Sequence, residues 1–64
     1  METFEELLAE AENLAREARQ AEPHKQYEAR LDASGMLMML ALHPETPATV
    51  KVYAREMAGV VARL

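Results

Sequence analysis

The stretch Gly35-Met36-Leu37-Met38-Met39-Leu40-Ala41-Leu42 contains seven apolar residues in succession and is followed at once by His43-Pro44. It is far shorter than the roughly 20 residues that span a bilayer. Met, Leu and Ala are strong helix formers and none is β-branched, so the stretch predicts a helix rather than a strand. Seven consecutive apolar residues cover the whole circumference of a helix. We therefore expect neighbouring helices, or another subunit, to cover this segment.

The size of the chain limits how it can be stabilised. A chain of 64 residues buries only about 60% of its extended surface and is marginally stable on its own. The sequence contains no cysteine, so neither disulfides nor thiolate metal sites can reinforce it. Oligomerisation is the usual remaining device for a scaffold of this size. We expect a single domain, residues 1–64, that assembles as a homo-oligomer.

The charge balance restricts the possible partners. Eleven acidic residues against seven Lys and Arg give a net charge of −4, which does not supply the dense basic surface that nucleic-acid backbones attract. We expect no direct nucleic-acid binding. No basic segment followed by an apolar run opens the sequence, so we expect no signal peptide, no membrane association and a cytoplasmic protein.

Thr3-Phe4-Glu5-Glu6 has the pattern of a capping box, in which the Thr3 hydroxyl accepts from the Glu6 amide. Apolar residues then follow at the three- and four-residue intervals of an amphipathic helix, predicted over about 3–21. That stripe consists of Phe4, Leu7, Leu8, Ala11, Leu14, Ala15, Ala18 and Ala21.

Pro23 marks the end of the first stripe. Inside a helix a proline costs about 3 kcal/mol, whereas at the first turn of a new helix it is nearly free. The apolar phase changes at this residue, because extending the first stripe would bury Lys25, Glu28 and Asp32. We favour a tight turn at Ala21-Glu22, and a single long helix with a kink is the alternative.

The second helix is predicted over about 23–42 and has two apolar lines. Because a helix buried on one side needs only one line, we expect this helix to be central. Ala33-Ser34-Gly35 places three small residues together, which permits a close crossing of two helices. The first line is Tyr27, Leu31, Ser34, Met38 and Ala41, and the second is Ala29, Ala33, Met36 and Leu40.

His43-Pro44-Glu45-Thr46-Pro47 is the clearest break, because a residue that precedes proline is pushed out of the α region. We expect Thr46 to cap a third helix over about 47–63, with Pro47 at its first position. Its apolar stripe is Val50, Tyr53, Ala54, Met57, Val60, Val61 and Leu64, beside a line of small residues at Ala54, Ala58 and Ala62.

The two lines of the second helix predict different contacts. We expect Tyr27, Leu31 and Met38 to face the first and third helices, with Met57 also in the core. A three-helix monomer has difficulty covering the other line as well. We therefore assign an interface between subunits to four residues, namely Ala33, Met36, Met39 and Leu40.

No set of residues predicts catalysis. Ser34 is the only serine and lies among apolar residues, where its hydroxyl bonds back to a carbonyl of the preceding turn. His24 and Glu28 share a helix face, but two ligands do not form a metal site and a solvated first turn is the simpler interpretation. No glycine-rich loop precedes a helix. We expect a non-enzymatic protein without metal or cofactor.

Lys51, Tyr53 and Arg55 form the only basic cluster with an aromatic residue. Lys51 and Arg55 are four residues apart and share a helix face. With His43, which the helix dipole favours at the end of the second helix when protonated, they could hold a small anion such as a nucleotide. A solvated helix face is the simpler interpretation.

These patterns predict an all-α protein, either a three-helix bundle or a helical hairpin with a third helix, organised around the second helix. Its expected function is protein–protein interaction as a small self-associating regulator, adaptor or inhibitor. The alternative from another class is a module that binds a small anionic ligand through Lys51, Arg55 and Tyr53. Partner identity, stoichiometry and subunit orientation do not follow from the sequence.

Overall fold

The computed structural model describes residues 3–63, which form three helices packed against one another. Helix α1 spans Phe4–Gln20, α2 spans Pro23–Leu42 and α3 spans Ala48–Ala62. Helix α2 is central, as expected, and packs along its length against both α1 and α3, which touch each other only marginally. Leu64, which belongs to the predicted stripe of the third helix, lies outside the described residues.

The two connections are short because local chemistry ends each helix. Thr3 caps α1 as predicted, with its Oγ1 accepting from the Glu6 amide at 3.2 Å. Ala21 and Glu22 have extended backbone and Pro23 opens α2, so the proline marks a turn and not a kink. The Lys25 amide then donates to the Glu22 carbonyl at 2.8 Å, which closes the first turn of α2.

The second connection differs from the prediction at Thr46. Pro47 is the N-cap of α3, with an extended backbone at ψ 150°, so the helix begins at Ala48. The Thr46 hydroxyl instead donates to the Leu40 carbonyl in the last turn of α2, at 2.8 Å. Thr46 therefore caps the helix that precedes it, because the turn folds its side chain back under α2.

The core is built largely from alanine. Small side chains on α1 and α3 let both helices approach α2 closely, since the distance between helix axes depends on the side chains at the contact. Four larger residues fill the remaining space: Leu7, Leu37, Leu40 and Val61. The alanines between them are Ala11, Ala15 and Ala18 of α1, Ala33 and Ala41 of α2, and Ala54 and Ala58 of α3.

The side of α2 that faces this core was predicted incorrectly. Tyr27, Leu31 and Met38 were expected to face α1 and α3, but all three are exposed. Leu37, which belonged to neither predicted line, lies at the centre of the core and is 1% exposed. The cause is the apolar character of α2 on every side, so that its own pattern does not select an orientation.

The inward side of α3 also differs in detail. Of its predicted line of small residues, Ala54 and Ala58 face α2 together with Val61, whereas Ala62 is exposed. Tyr53 and Val60 were expected to be buried with them and are instead exposed, whereas Met57 is partly buried against the core as expected. The alanine surface of α3 allows this helix to approach α2 closely. Tyr53 and Val60 then lie at the edge of the contact between the two helices.

Candidate functional site

The most unusual surface of the molecule is the side of α2 that faces away from α1 and α3. Four apolar residues lie there within about 60° of arc, since successive residues of a helix are rotated by about 100°. Their exposed fractions are 69% for Tyr27, 55% for Leu31, 43% for Met38 and 76% for Leu42. We call these four residues the α2 outer face.

Two shallow hollows flank the α2 outer face, and Leu31 borders both of them. One hollow lies towards α3 and is lined by Tyr27, Arg30, Leu31, Ser34 and Ala62. The other lies towards α1 and is lined by Leu14, Leu31, Asp32, Gly35, Met36 and Met39. The face is therefore a ridge of apolar side chains with space on either side, a shape that another helix can pack against.

The four residues that were assigned to a subunit interface do not all lie on a surface. Ala33 and Leu40 are both 0% exposed within the single chain, so their assignment to an interface is wrong. Both residues belong to the chain's own core, where this side of α2 packs against the alanines of α1 and α3. Met36 is partly buried against the core, and Met39 is 59% exposed beside the hollow towards α1.

Tyr53 does not share a side of α3 with the two basic residues that were predicted to hold an anion with it. Tyr53 is two residues from both Lys51 and Arg55, so it points to the opposite side of α3. There it lines a groove between α1 and α3 with Arg16 and Arg19. An anion site at Lys51, Arg55 and His43 stays a prediction.

The groove between α1 and α3 also brings charged and aromatic side chains together. Leu37 forms its floor, and Glu12 lies beside the two arginines. Arg16 donates from Nη1 to the Asn13 side-chain oxygen at 3.3 Å. Both arginines are exposed and a carboxylate accompanies them, so the groove offers neither strong positive charge nor shelter from water.

The two histidines have local partners. His43 ends α2, and its Nδ1 accepts from the Glu45 amide at 3.2 Å, which holds the ring against the turn. His24 Nε2 lies 3.6 Å from a carboxylate oxygen of Glu22, and both side chains are mostly exposed. Within residues 3–63 no three His, Asp or Glu side chains are grouped as metal ligands would be.

None of the three helices between residues 3 and 63 combines the length and the apolar character needed to cross a bilayer. A scan of protein-family models and searches of curated proteins and of solved structures found no match to this chain.

Proposed function

We propose that this protein self-associates and acts by binding another macromolecule, as a regulator, adaptor or inhibitor without a catalytic site of its own. One observation carries the proposal. Among the described residues, eight large apolar side chains are exposed, whereas only four are buried. Single exposed apolar residues are normal on a soluble protein, but a contiguous group of them is typical of an interaction site.

The position of these residues supports an interface more than a loose core. Five of the eight are on α2, namely the α2 outer face and Met39. They are held on a 20-residue helix whose opposite side is fully packed. Such a helix presents its side chains at fixed positions, so a partner meets an ordered surface and loses little entropy on binding.

The energies are of the size that reversible association needs. Burying a large apolar side chain completely contributes about 1.5–3 kcal/mol. Scaled by their exposed fractions, the α2 outer faces of two copies would together contribute roughly 7–15 kcal/mol. Association costs about 4–15 kcal/mol in lost freedom of motion. The two ranges overlap, so the comparison is only relative: a second copy that offers the same face buries twice the apolar surface that a polar partner would, and is therefore the more favourable occupant.

Sedimentation equilibrium tests the proposal directly. The unchanged chain should sediment above its monomer mass of 7.2 kDa at micromolar concentration. Leu31→Glu places a charge in the middle of the α2 outer face and should return the chain to monomer mass. Val60→Glu is the matched control, because Val60 is similarly exposed but lies on α3.

A chain that sediments as a monomer throughout the micromolar range would overturn self-association. Equal loss of mass in both variants would show that added charge, and not the α2 outer face, controls the assembly. Circular dichroism of each variant should show unchanged helix content, because both replaced side chains lie outside the core.

A further inference from the structure

The α2 outer face is symmetric about its own midpoint. Leu31 lies three residues before Ser34, and Met38 lies three residues after Gly35. Tyr27 lies seven residues before Ser34, and Leu42 lies seven residues after Gly35. A two-fold axis through the midpoint would therefore place a large apolar residue opposite another at all four positions.

We propose that two copies pair through this face in an antiparallel arrangement, with the two-fold axis between Ser34 and Gly35. Leu31 then contacts Met38 of the second copy, and Tyr27 contacts Leu42 of the second copy. This geometry rests on the proposed self-association and specifies its symmetry and register. It is the self-complementary contact that a two-fold homodimer requires, with the same surface contributed by both subunits.

The spacing of the face suits helix-to-helix packing. Tyr27, Leu31, Ser34, Met38 and Leu42 follow intervals of four, three, four and four residues. Intervals of three and four residues keep side chains on one side of a helix; a coiled-coil contact line alternates them strictly, and the last interval here departs from that alternation. The face extends over 16 residues, long enough for two helices to contact each other through four turns.

The charges of α2 favour antiparallel over parallel pairing. Its four charged residues, Lys25, Glu28, Arg30 and Asp32, all precede Ala33, and none occurs from Ala33 to Leu42. Parallel pairing would bring each charge level with an identical one. Antiparallel pairing sets each charged half against the uncharged half of the other copy, and it also opposes the two helix dipoles.

Gly35 provides independent support for a crossing at this point. A glycine inside a helix costs about 1 kcal/mol relative to alanine. Apart from its chain neighbours and the nearby backbone of α2 itself, a Cβ atom added at Gly35 would meet no atom within 4 Å in the single chain. The packing of one copy therefore gives no reason for a glycine here, whereas a second helix that crosses at Ser34-Gly35 would occupy that open space.

Disulfide trapping tests the register, and the absence of cysteine makes the experiment clean. Leu31→Cys and Met38→Cys are prepared separately, mixed and oxidised. The mixture should give a disulfide-linked dimer containing one chain of each kind. Each variant alone should give little, because the two copies of residue 31 would lie about 10 Å apart along the helix axis. A disulfide needs Cα atoms within about 7 Å.

The outcomes separate the geometry from self-association. Trapping of Leu31→Cys with itself, but not with Met38→Cys, would overturn the antiparallel register and leave self-association standing. A dimer by sedimentation that neither combination traps would place the interface elsewhere and overturn this inference alone. A chain of monomer mass would overturn both. Val60→Cys is the control for random collision. It should give only the small amount of disulfide-linked dimer that chance encounters between chains produce.

Discussion

The hydroxyl of Thr46 donates a hydrogen bond to the carbonyl of Leu40, with 2.8 Å between the two oxygen atoms. Thr46 is 5% exposed and is the one buried polar side chain in the described part of the chain. The bond joins the connection between α2 and α3 to the last turn of α2, where the Leu40 carbonyl also accepts from the His43 amide at 3.3 Å.

Thr46→Val should lower the free energy of unfolding by about 0.5–1.5 kcal/mol, because the hydroxyl bond is lost while the volume of the side chain is kept, and the Leu40 carbonyl then accepts only from the His43 amide. Urea denaturation followed by circular dichroism measures the difference. Thr46→Ser is the matched control, since it retains the hydroxyl and should lie close to the unchanged chain. A valine variant as stable as the serine variant would contradict the role of this bond.

Leu40→Ala should destabilise the chain by about 2–5 kcal/mol, because Leu40 is fully buried and its removal leaves a cavity. The adjacent Met39 is mostly exposed, and Met39→Ala should change the free energy of unfolding by no more than about 0.5 kcal/mol. Thermal unfolding of the two variants compares neighbouring positions of α2, one buried and one exposed. Similar losses in both variants would show that the side of α2 facing the core is misplaced.

Because Leu40 is buried, a charged side chain at this position should affect folding itself. Leu40→Glu should abolish folding of the single chain rather than only its assembly, since an unpaired carboxylate would enter the core. A monomer with native helix content in this variant would contradict the placement of Leu40.

Gly35→Ala should have opposite effects on folding and on association. In a monomeric Leu31→Glu background it should raise the free energy of unfolding by up to about 1 kcal/mol, because alanine is the better helix former and its Cβ meets nothing. In the self-associating chain the same methyl group should weaken dimerisation by about 1–3 kcal/mol through overpacking at the crossing. Thermal unfolding measures the first effect and sedimentation equilibrium measures the second.

Gly59→Ala is the matched control for this pair of effects. Its added Cβ would lie 3.4 Å from the end of the flexible Arg63 side chain, which can move aside. It should leave dimerisation unchanged. Weaker association in both alanine variants would remove the argument that the helices cross at Gly35.

Thr3→Ala should cost about 0.5–2 kcal/mol of stability, since the Glu6 amide at the start of α1 loses the oxygen that it donates to. Thr3→Ser should preserve the bond and most of the stability. Hydrogen exchange of the first turn of α1 should report the loss before global unfolding does, because helix ends open first. Equal protection in both variants would contradict a capping role for Thr3.

Some features of the fold could be predicted from the sequence because local chemistry determines them. The α1 stripe runs on one side only, so Leu7, Ala11, Ala15 and Ala18 could be assigned to the core. Pro23 can open a helix but not continue one without cost, and the change of apolar phase at this residue indicated a turn. The end of α2 at His43-Pro44 followed from the same backbone restriction.

The candidate site could be predicted only in outline. An excess of apolar surface on α2 could be expected, because a chain of 64 residues has a core too small to cover both lines. Which line remains exposed was predicted the wrong way round: Leu40 and Ala33 are buried, and Leu31 and Met38 are exposed. Thr46 was likewise assigned to the wrong helix, since a hydroxyl in a turn can cap either neighbour.

By itself, the sequence determined three helices, the two turns between them and the central place of α2, since each depends on residues close together in the chain. Only the tertiary structure decided which side of α2 is buried. The stretch from Gly35 to Leu42 is apolar all round, so its own pattern prefers no orientation. The alanine surfaces of α1 and α3 determine the orientation of α2. They accept Leu37 and Leu40 at close range and leave Leu31, Met38 and Leu42 facing outward.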